Sequence, residues 1–149
     1  MRSKIIHING FYNQEHDGTR DFRWAERNWK ILIQNVPEAA WLFFQAGYPG
    51  LEETVLELHV GGRSESLPIV TGWHYTGIDL SVFAGCPELV VTGQSPYIHP
   101  APGDGRELSL MIGEMKIGLP SDLVLNEIYY AQDVLKRTLV RSYPKTLNI

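Results

Sequence analysis

Thr54-Val55-Leu56-Glu57-Leu58-His59-Val60 alternates so that an extended chain carries Leu56, Leu58 and Val60 on one face and Glu57 and His59 on the other. Strict alternation over a run of this length marks a strand buried on one side only. Gly61-Gly62 follows at once, and Leu67 and Ile69 stand beyond it, so the segment reads as one arm of a hairpin. Two registers compete. A two-residue turn at Gly61-Gly62 sets Leu58 opposite Glu65, whereas a four-residue loop through Ser64 sets Leu58 opposite Leu67 and Leu56 opposite Ile69. The longer loop is the expectation, because it places apolar residues opposite one another on the core face.

The same grammar extends in both directions. Residues 4–9 read as a first strand stopped by Asn9-Gly10, and residues 11–20 (FYNQEHDGTR), polar and without apolar period, as a long surface loop. Trp29, Ile31 and Ile33 alternate with Lys30, Leu32 and Gln34, and residues 40–44 are apolar and aromatic, which predicts two strands with Pro37 in the turn between them. Further strands are expected at residues 75–82, 89–92 and 108–117, and residues 95–105 (SPYIHPAPGDG) form a loop. Turn signals this frequent predict an all-β domain: an antiparallel β-sandwich of jelly-roll type with about eight strands over residues 4–117.

Beyond that the period changes. Ser121 is a good N-cap after Pro120, Asp122 suits the first turn, Lys136 and Arg137 suit the last, and Val124, Ile128, Ala131, Leu135 and Leu139 form one apolar stripe. Residues 118–149 are therefore expected to be one C-terminal amphipathic helix, over 121–140, and a tail. Such a stripe must be covered, by the sandwich itself, by a second copy or by a larger polypeptide context; the preference is for a homo-oligomer.

Composition narrows function. With 13 basic and 17 acidic side chains the net charge is −4, the wrong sign for a protein that neutralises phosphates, so no nucleic-acid partner is expected. No run approaches the roughly 20 apolar residues of a membrane span. Cys86 is the lone cysteine and needs no oxidising compartment, which makes the cytoplasm the expected location. The histidines His7, His16, His59, His74 and His99 have no metal-ligand spacing, the acidic loop residues match no calcium loop, and no nucleophile elbow or P-loop is present, so neither enzyme nor cofactor is expected.

What remains is aromatic residues interleaved with polar ones: Phe11, Tyr12, Glu15, Arg23 and Trp24; Trp73, Tyr75 and Asp79; Tyr97, Asp104 and Arg106. Flat rings beside hydrogen-bonding groups suit a sugar, which stacks its C–H face and satisfies its hydroxyls. In strand-like settings such rings, Trp24 and Trp73 among them, are more often core. Arg23, between Phe22 and Trp24, is expected to pair with a carboxylate, Glu15 first.

The spacing Gly10-Phe11-Tyr12, Glu15, Gly18, Phe22-Arg23-Trp24, with the later Gly103-Asp104-Gly105-Arg106-Glu107-Leu108, is similar to small β-sandwich accessory domains of bacterial glycan-assembly proteins such as glycosyltransferases and sugar methyltransferases. The resemblance implies a carbohydrate-binding-like module without catalytic residues, with Glu15, Arg23, Trp24, Asp104 and Arg106 as the shared positions. Two functions stand side by side. The first is a non-catalytic glycan-recognition module whose ligand-binding residues are Glu15, Arg23, Trp24, Trp73, Tyr75, Asp79, Tyr97, Asp104 and Arg106; the second is a structural or interaction domain that oligomerises or docks through its C-terminal helix.

Overall fold

The computed structural model describes residues 2–119. Its strands are β1 (Lys4–Phe11), β2 (Glu15–His16), β3 (Asp21–Gln34), β4 (Trp41–Tyr48), β5 (Thr54–Val60), β6 (Arg63–Ile69), β7 (Gly72–Asp79), β8 (Glu88–Gln94), β9 (Met111–Gly113) and β10 (Lys116–Gly118), with one 3-10 turn at Ser81–Phe83. The pairings are antiparallel.

β3 organises them. Its C-terminal half lies between β1 and β8, and β8 continues to β5 and β6. Its N-terminal half lies between β2 and β9, while β4 carries β9 and β10 on one edge and β7 on the other. One strand of 14 residues thus serves both layers, and the sheet curls over along it, consistent with a β-sandwich. The layers enclose Ile31 and Ile33 of β3, Leu42 and Phe44 of β4, and Leu56 and Leu58 of β5, all fully buried. Those of β3 and β5 are the alternate positions that the sequence pattern picks out.

The hairpin register differs from the expected one. Val60 pairs with Arg63, Leu58 with Glu65 and Leu56 with Leu67, across a two-residue turn. Gly61 and Gly62 have φ of 51° and 82°, the left-handed pair that closes a tight hairpin and that glycine adopts without penalty. The competing registers differ by two residues, and a shift of two leaves every side chain on its own face. Core burial therefore cannot choose between them; the turn does.

Other boundaries move for related reasons. Residues 11–20 are not one loop: β1 runs on to Phe11, and Glu15–His16 pairs with Phe22 and Asp21, because a backbone ladder needs no apolar side chains. Asp17 Oδ1 closes the turn by accepting the N–H groups of Thr19 and Arg20, each at 2.9 Å. The strand expected over 75–82 occupies Gly72–Asp79 and gives way to the 3-10 turn. The strand expected over 108–117 splits into β9 and β10, raising the count to ten, as the chain leaves the slot between β3 and β4 and continues beside β4 alone. Residues 95–105 are loop, as expected. The predicted helix and its oligomeric role lie outside the described residues.

Candidate functional site

Strand alternation sorts β4 into two faces. Leu42, Phe44, Ala46 and Tyr48 enter the core, so Trp41, Phe43, Gln45 and Gly47 face the other way. Antiparallel partners share a face. Trp73, Tyr75 and Asp79 of β7 pair with Gly47, Gln45 and Trp41, Met111 of β9 also pairs with Gly47, and Trp24 of β3 pairs with Met111. Glu15 joins the same face opposite Phe22. Register thereby gathers Glu15, Trp24, Trp73, Tyr75 and Asp79 from three separate strands onto one outer sheet face.

The face has a buried half and an open half. Trp41, Phe43 and Tyr75 are buried, whereas Trp73, Gln45, Met111 and Trp24 are half-buried. The Trp73 ring lies flat on Gly47, where a Cβ would come within 2.8 Å of it. Phe22 meets Trp73 edge-on at 5.8 Å, and the Arg20 guanidinium carbon sits 4.5 Å from the ring centroid. Arg20 Nε and Nη1 are shielded from water and have no acceptor among the described residues. Trp24 stacks on His99 at 5.2 Å with 19° between planes. A 2.9 Å hydrogen bond joins the Tyr97 hydroxyl to His99 Nδ1, and Tyr97 packs edge-on against Tyr48. Burial, with Tyr48 beside it, pushes the Tyr97 hydroxyl up, so it stays protonated. Tyr97 therefore supports His99 from the core side.

At the rim, Arg106 is a hub. It holds Asp104 with Nε and Nη2, reaches Glu15 Oε2 with Nη1 at 3.0 Å, and lies 5.4 Å from the Tyr12 ring centroid. The Tyr12 hydroxyl accepts the Glu107 N–H, and Glu107 accepts the Arg27 backbone and guanidinium N–H groups. Hydrogen bonds from the Arg106 side chain, then from its backbone, hold the Asp104 carboxyl below its usual range, and those from the Arg27 backbone, then from its side chain, lower Glu107. These residues bind one another. They pin the 95–110 segment to β2 and β3.

One expected pairing is therefore corrected. Arg23 does not pair with Glu15, which is taken by Arg106; instead Arg23 Nη1 donates to the Tyr12 carbonyl at 3.1 Å, because Arg23 and Phe22 point to opposite faces of β3. Asp79 Oδ1 accepts from the Ser81 N–H and hydroxyl and so starts the 3-10 turn. Tyr75 is only 6% exposed. The sequence reading missed Arg20, Gln45 and Met111, which no local motif marks; register brings Gln45 and Met111 onto the face of Trp73, and the Arg20 guanidinium lies over its ring. Among the described residues no group of three His, Cys, Asp or Glu side chains gathers to hold a metal.

Arg23 instead lines a cleft of about 660 Å³ at the mouth between the layers, with His7, Gln14, Asp21 and Glu114 above an apolar floor. The cleft walls, and then the Arg23 charge, hold His7 below its ordinary value although part of its ring reaches solvent. A depressed folded value means that the unfolded chain takes up the proton more readily. The resulting stability is complete above about pH 6.5 and is lost as pH falls through the folded value. His7→Gln, which cannot titrate, is expected to retain more of its neutral-pH stability at about pH 5 than the parent does. Urea midpoints measured at both pH values check this, and identical acid losses would reject it.

No family model matches the chain, and no curated protein matches it. Similar solved structures include a family 35 carbohydrate binding module from Clostridium thermocellum, at 15% identity over 80% of this chain and 99% of that one, with a TM-score of 0.47. Another is the CBM36-1 domain of a multidomain xylanase from the hindgut metagenome of Trinervitermes trinervoides, at 8% identity, 78% and 97% coverage and a TM-score of 0.46. A CBM35 from Cellvibrio japonicus aligns at 13% identity, 79% and 97% coverage and a TM-score of 0.40. Likeness at this level carries no argument about ligand, because one strand arrangement hosts many unrelated sites. The chemistry of the face has to supply it.

Proposed function

We propose that this domain is a non-catalytic glycan-recognition module whose ligand lies across the open half of the sheet face, between Trp73 and Trp24, and that it is accessory to a glycan-synthesis or glycan-modifying protein of a reducing compartment. One observation supports this above the rest. Two half-buried tryptophans stand on the same face three strands apart, roughly 14 Å at the usual strand spacing, with the low floor of Gly47 and Met111 between them. Trp73 is held by Gly47, Phe22 and the Arg20 guanidinium over its ring, and Trp24 by His99, which fixes each ring before a ligand arrives. Gln45 and Arg20 supply the hydrogen-bonding groups such a stack needs.

Three of the acid groups are unsuited to general acid catalysis. A general acid working near neutral pH needs a carboxyl raised toward that range, whereas Asp17, Asp104 and Glu107 are held low by backbone N–H groups and arginines. Tyr75 and Tyr97, offered as stacking platforms on sequence grounds, act as packing in this reading, and Glu15, Asp104 and Arg106 act as the brace that positions the rim.

The test is a glycan array probed with the domain and with Trp73→Ala. The variant is expected to lose at least about tenfold in affinity, ~1.4 kcal/mol, while keeping its fold, since Trp73 lies outside the core between the layers. Trp24→Ala provides the same reading if Trp73→Ala does not fold. Absence of binding to any glycan at millimolar concentration would overturn the proposal in favour of a structural or interaction domain.

A further inference from the structure

The cleft that Arg23 lines combines an apolar floor with a charge that nothing in the fold consumes. β1 belongs to one layer and β9 and β10 to the other, and among the described residues no ladder joins β1 to either, so the layers part here and leave about 660 Å³ between them. That is room for a small organic molecule. Ile112 and Met115 belong to the core, and Ile5 and Ile117 pack against it, which makes the floor apolar. A guanidinium is a fork of several N–H donors, and half-buried Arg23 gives one of them to the Tyr12 carbonyl; no carboxylate among the described residues pairs with it. The carboxylates that share the cleft do not cancel it. Asp21 Oδ1 bonds to His16 Nδ1 at 2.9 Å, and Glu114 is exposed. His7 reports the balance: burial lowers it first and the Arg23 charge lowers it further, with no opposing pull from Asp21 or Glu114.

We propose that this cleft binds a small organic acid, its carboxylate on the remaining donors of Arg23 with Lys4 at the rim beside it, and its apolar body on the floor of Ile5, Ile112, Met115 and Ile117. A planar carboxylate matches two parallel N–H groups of the guanidinium fork, and the partly desolvated setting strengthens that pair. An inorganic anion would gain nothing from the floor, and a neutral apolar molecule would leave the arginine donors unmatched. The cleft is apart from the tryptophan face, because Arg23 and Trp24 are successive residues of β3 and point to opposite sides. The inference therefore does not rest on the glycan reading. A bound anion also favours the charged form of a histidine beside it, so acid binding and protonation of His7 support one another. The charged groups that share the cleft with His7 are Lys4 of β1, Asp21 and Arg23 of β3, and Glu114 between β9 and β10.

NMR titration of the full chain with hexanoate, hexanol and inorganic phosphate tests the proposal. Hexanoate carries both the charge and the body, hexanol the body alone and phosphate the charge alone. Hexanoate is expected to shift the amides of His7, Arg23, Ile112 and Gly113 saturably at millimolar concentration, at least about tenfold more tightly than either of the others. It should also raise the titration midpoint of the His7 ring while that of His59, on β5, stays in place. Arg23→Gln should weaken hexanoate by about tenfold or more, and Arg23→Lys, which keeps the charge and loses the fork, should recover only part of the loss. The comparison of the three probes on the wild type decides the matter even if those variants do not fold. Hexanol bound as tightly as hexanoate would overturn the proposal, since Arg23 would then have no role. Phosphate bound as tightly would overturn it in favour of an inorganic anion, and so would the absence of any saturable shift. A His7 midpoint that falls with hexanoate, as mere covering of the ring would make it, would place the carboxylate elsewhere and overturn it too.

Discussion

Gly93→Val is expected to destabilise the domain by about 3 kcal/mol, a cost that vanishes when Trp29 is already alanine. Gly93 on β8 pairs with Trp29 on β3 and with Leu58 on β5, in the middle of the inner layer. A Cβ at Gly93 would lie 2.1 Å from Trp29 Cε2 and 2.2 Å from Cζ2. The indole has nowhere to go, since it is 3% exposed and meets Phe11 at 5.3 Å and Phe44 at 6.1 Å. Trp29→Ala alone should cost about 3–5 kcal/mol through lost burial and the cavity it leaves. In that background the valine enters the space the indole vacates. The double variant is therefore expected to be no less stable than Trp29→Ala by urea denaturation. Additive losses would mean that the backbone, not the ring, limits Gly93.

That pairing illustrates what was legible in the sequence and what was not. β5 and the C-terminal half of β3 show their buried faces directly, because period-two alternation is a local consequence of the pleat and Leu56, Leu58, Ile31 and Ile33 obey it. Glu15–His16 hid in a polar stretch, since hydrogen bonding between backbones leaves no mark on composition. The Glu15–Arg106 ion pair spans 91 residues of sequence, and Arg23 was the nearer and wrong partner. Charge chemistry predicted that Glu15 would be paired; only the strand order decides by which arginine. The candidate face was half visible in the same sense. Its tryptophans stood out as aromatic residues among polar ones, but their common face follows from three successive registers; Gln45 and Met111 enter only through those registers, and Arg20 through its place over the Trp73 ring. Tyr97 and Asp79 met the same compositional test; the Tyr97 hydroxyl bonds to His99, and Asp79 accepts from the Ser81 N–H.

Gly10→Ala is expected to cost about 3 kcal/mol or more, against about 1 kcal/mol for Gly18→Ala, although both glycines have left-handed backbones with φ of 84° and 92°. The angle penalty is common to both. What differs is the surroundings: a Cβ at Gly18 meets nothing within 4 Å, whereas one at Gly10 would lie 2.3 Å from the Asn28 carbonyl oxygen and 2.5 Å from Trp29 Cα. Those are backbone atoms of β3 and cannot swing aside, so the strands must part. They would part where the register of β1 on β3 already shifts, between Asn9 and Phe11. Phe11, packed on Trp29, and Tyr12, whose N–H donates to the Trp24 carbonyl at 3.0 Å, lie directly beyond it. Displacing Tyr12 removes the acceptor for the Glu107 N–H and the ring beneath Arg106, loosening the segment that carries His99 under Trp24. The Gly-Phe-Tyr stretch is thus a brace for one edge of the candidate glycan face. Urea midpoints for the two variants, with protease nicking of the 95–110 segment as a local readout, check the argument. Equal losses at Gly10 and Gly18 would show that the close approach to β3 costs nothing beyond the angle.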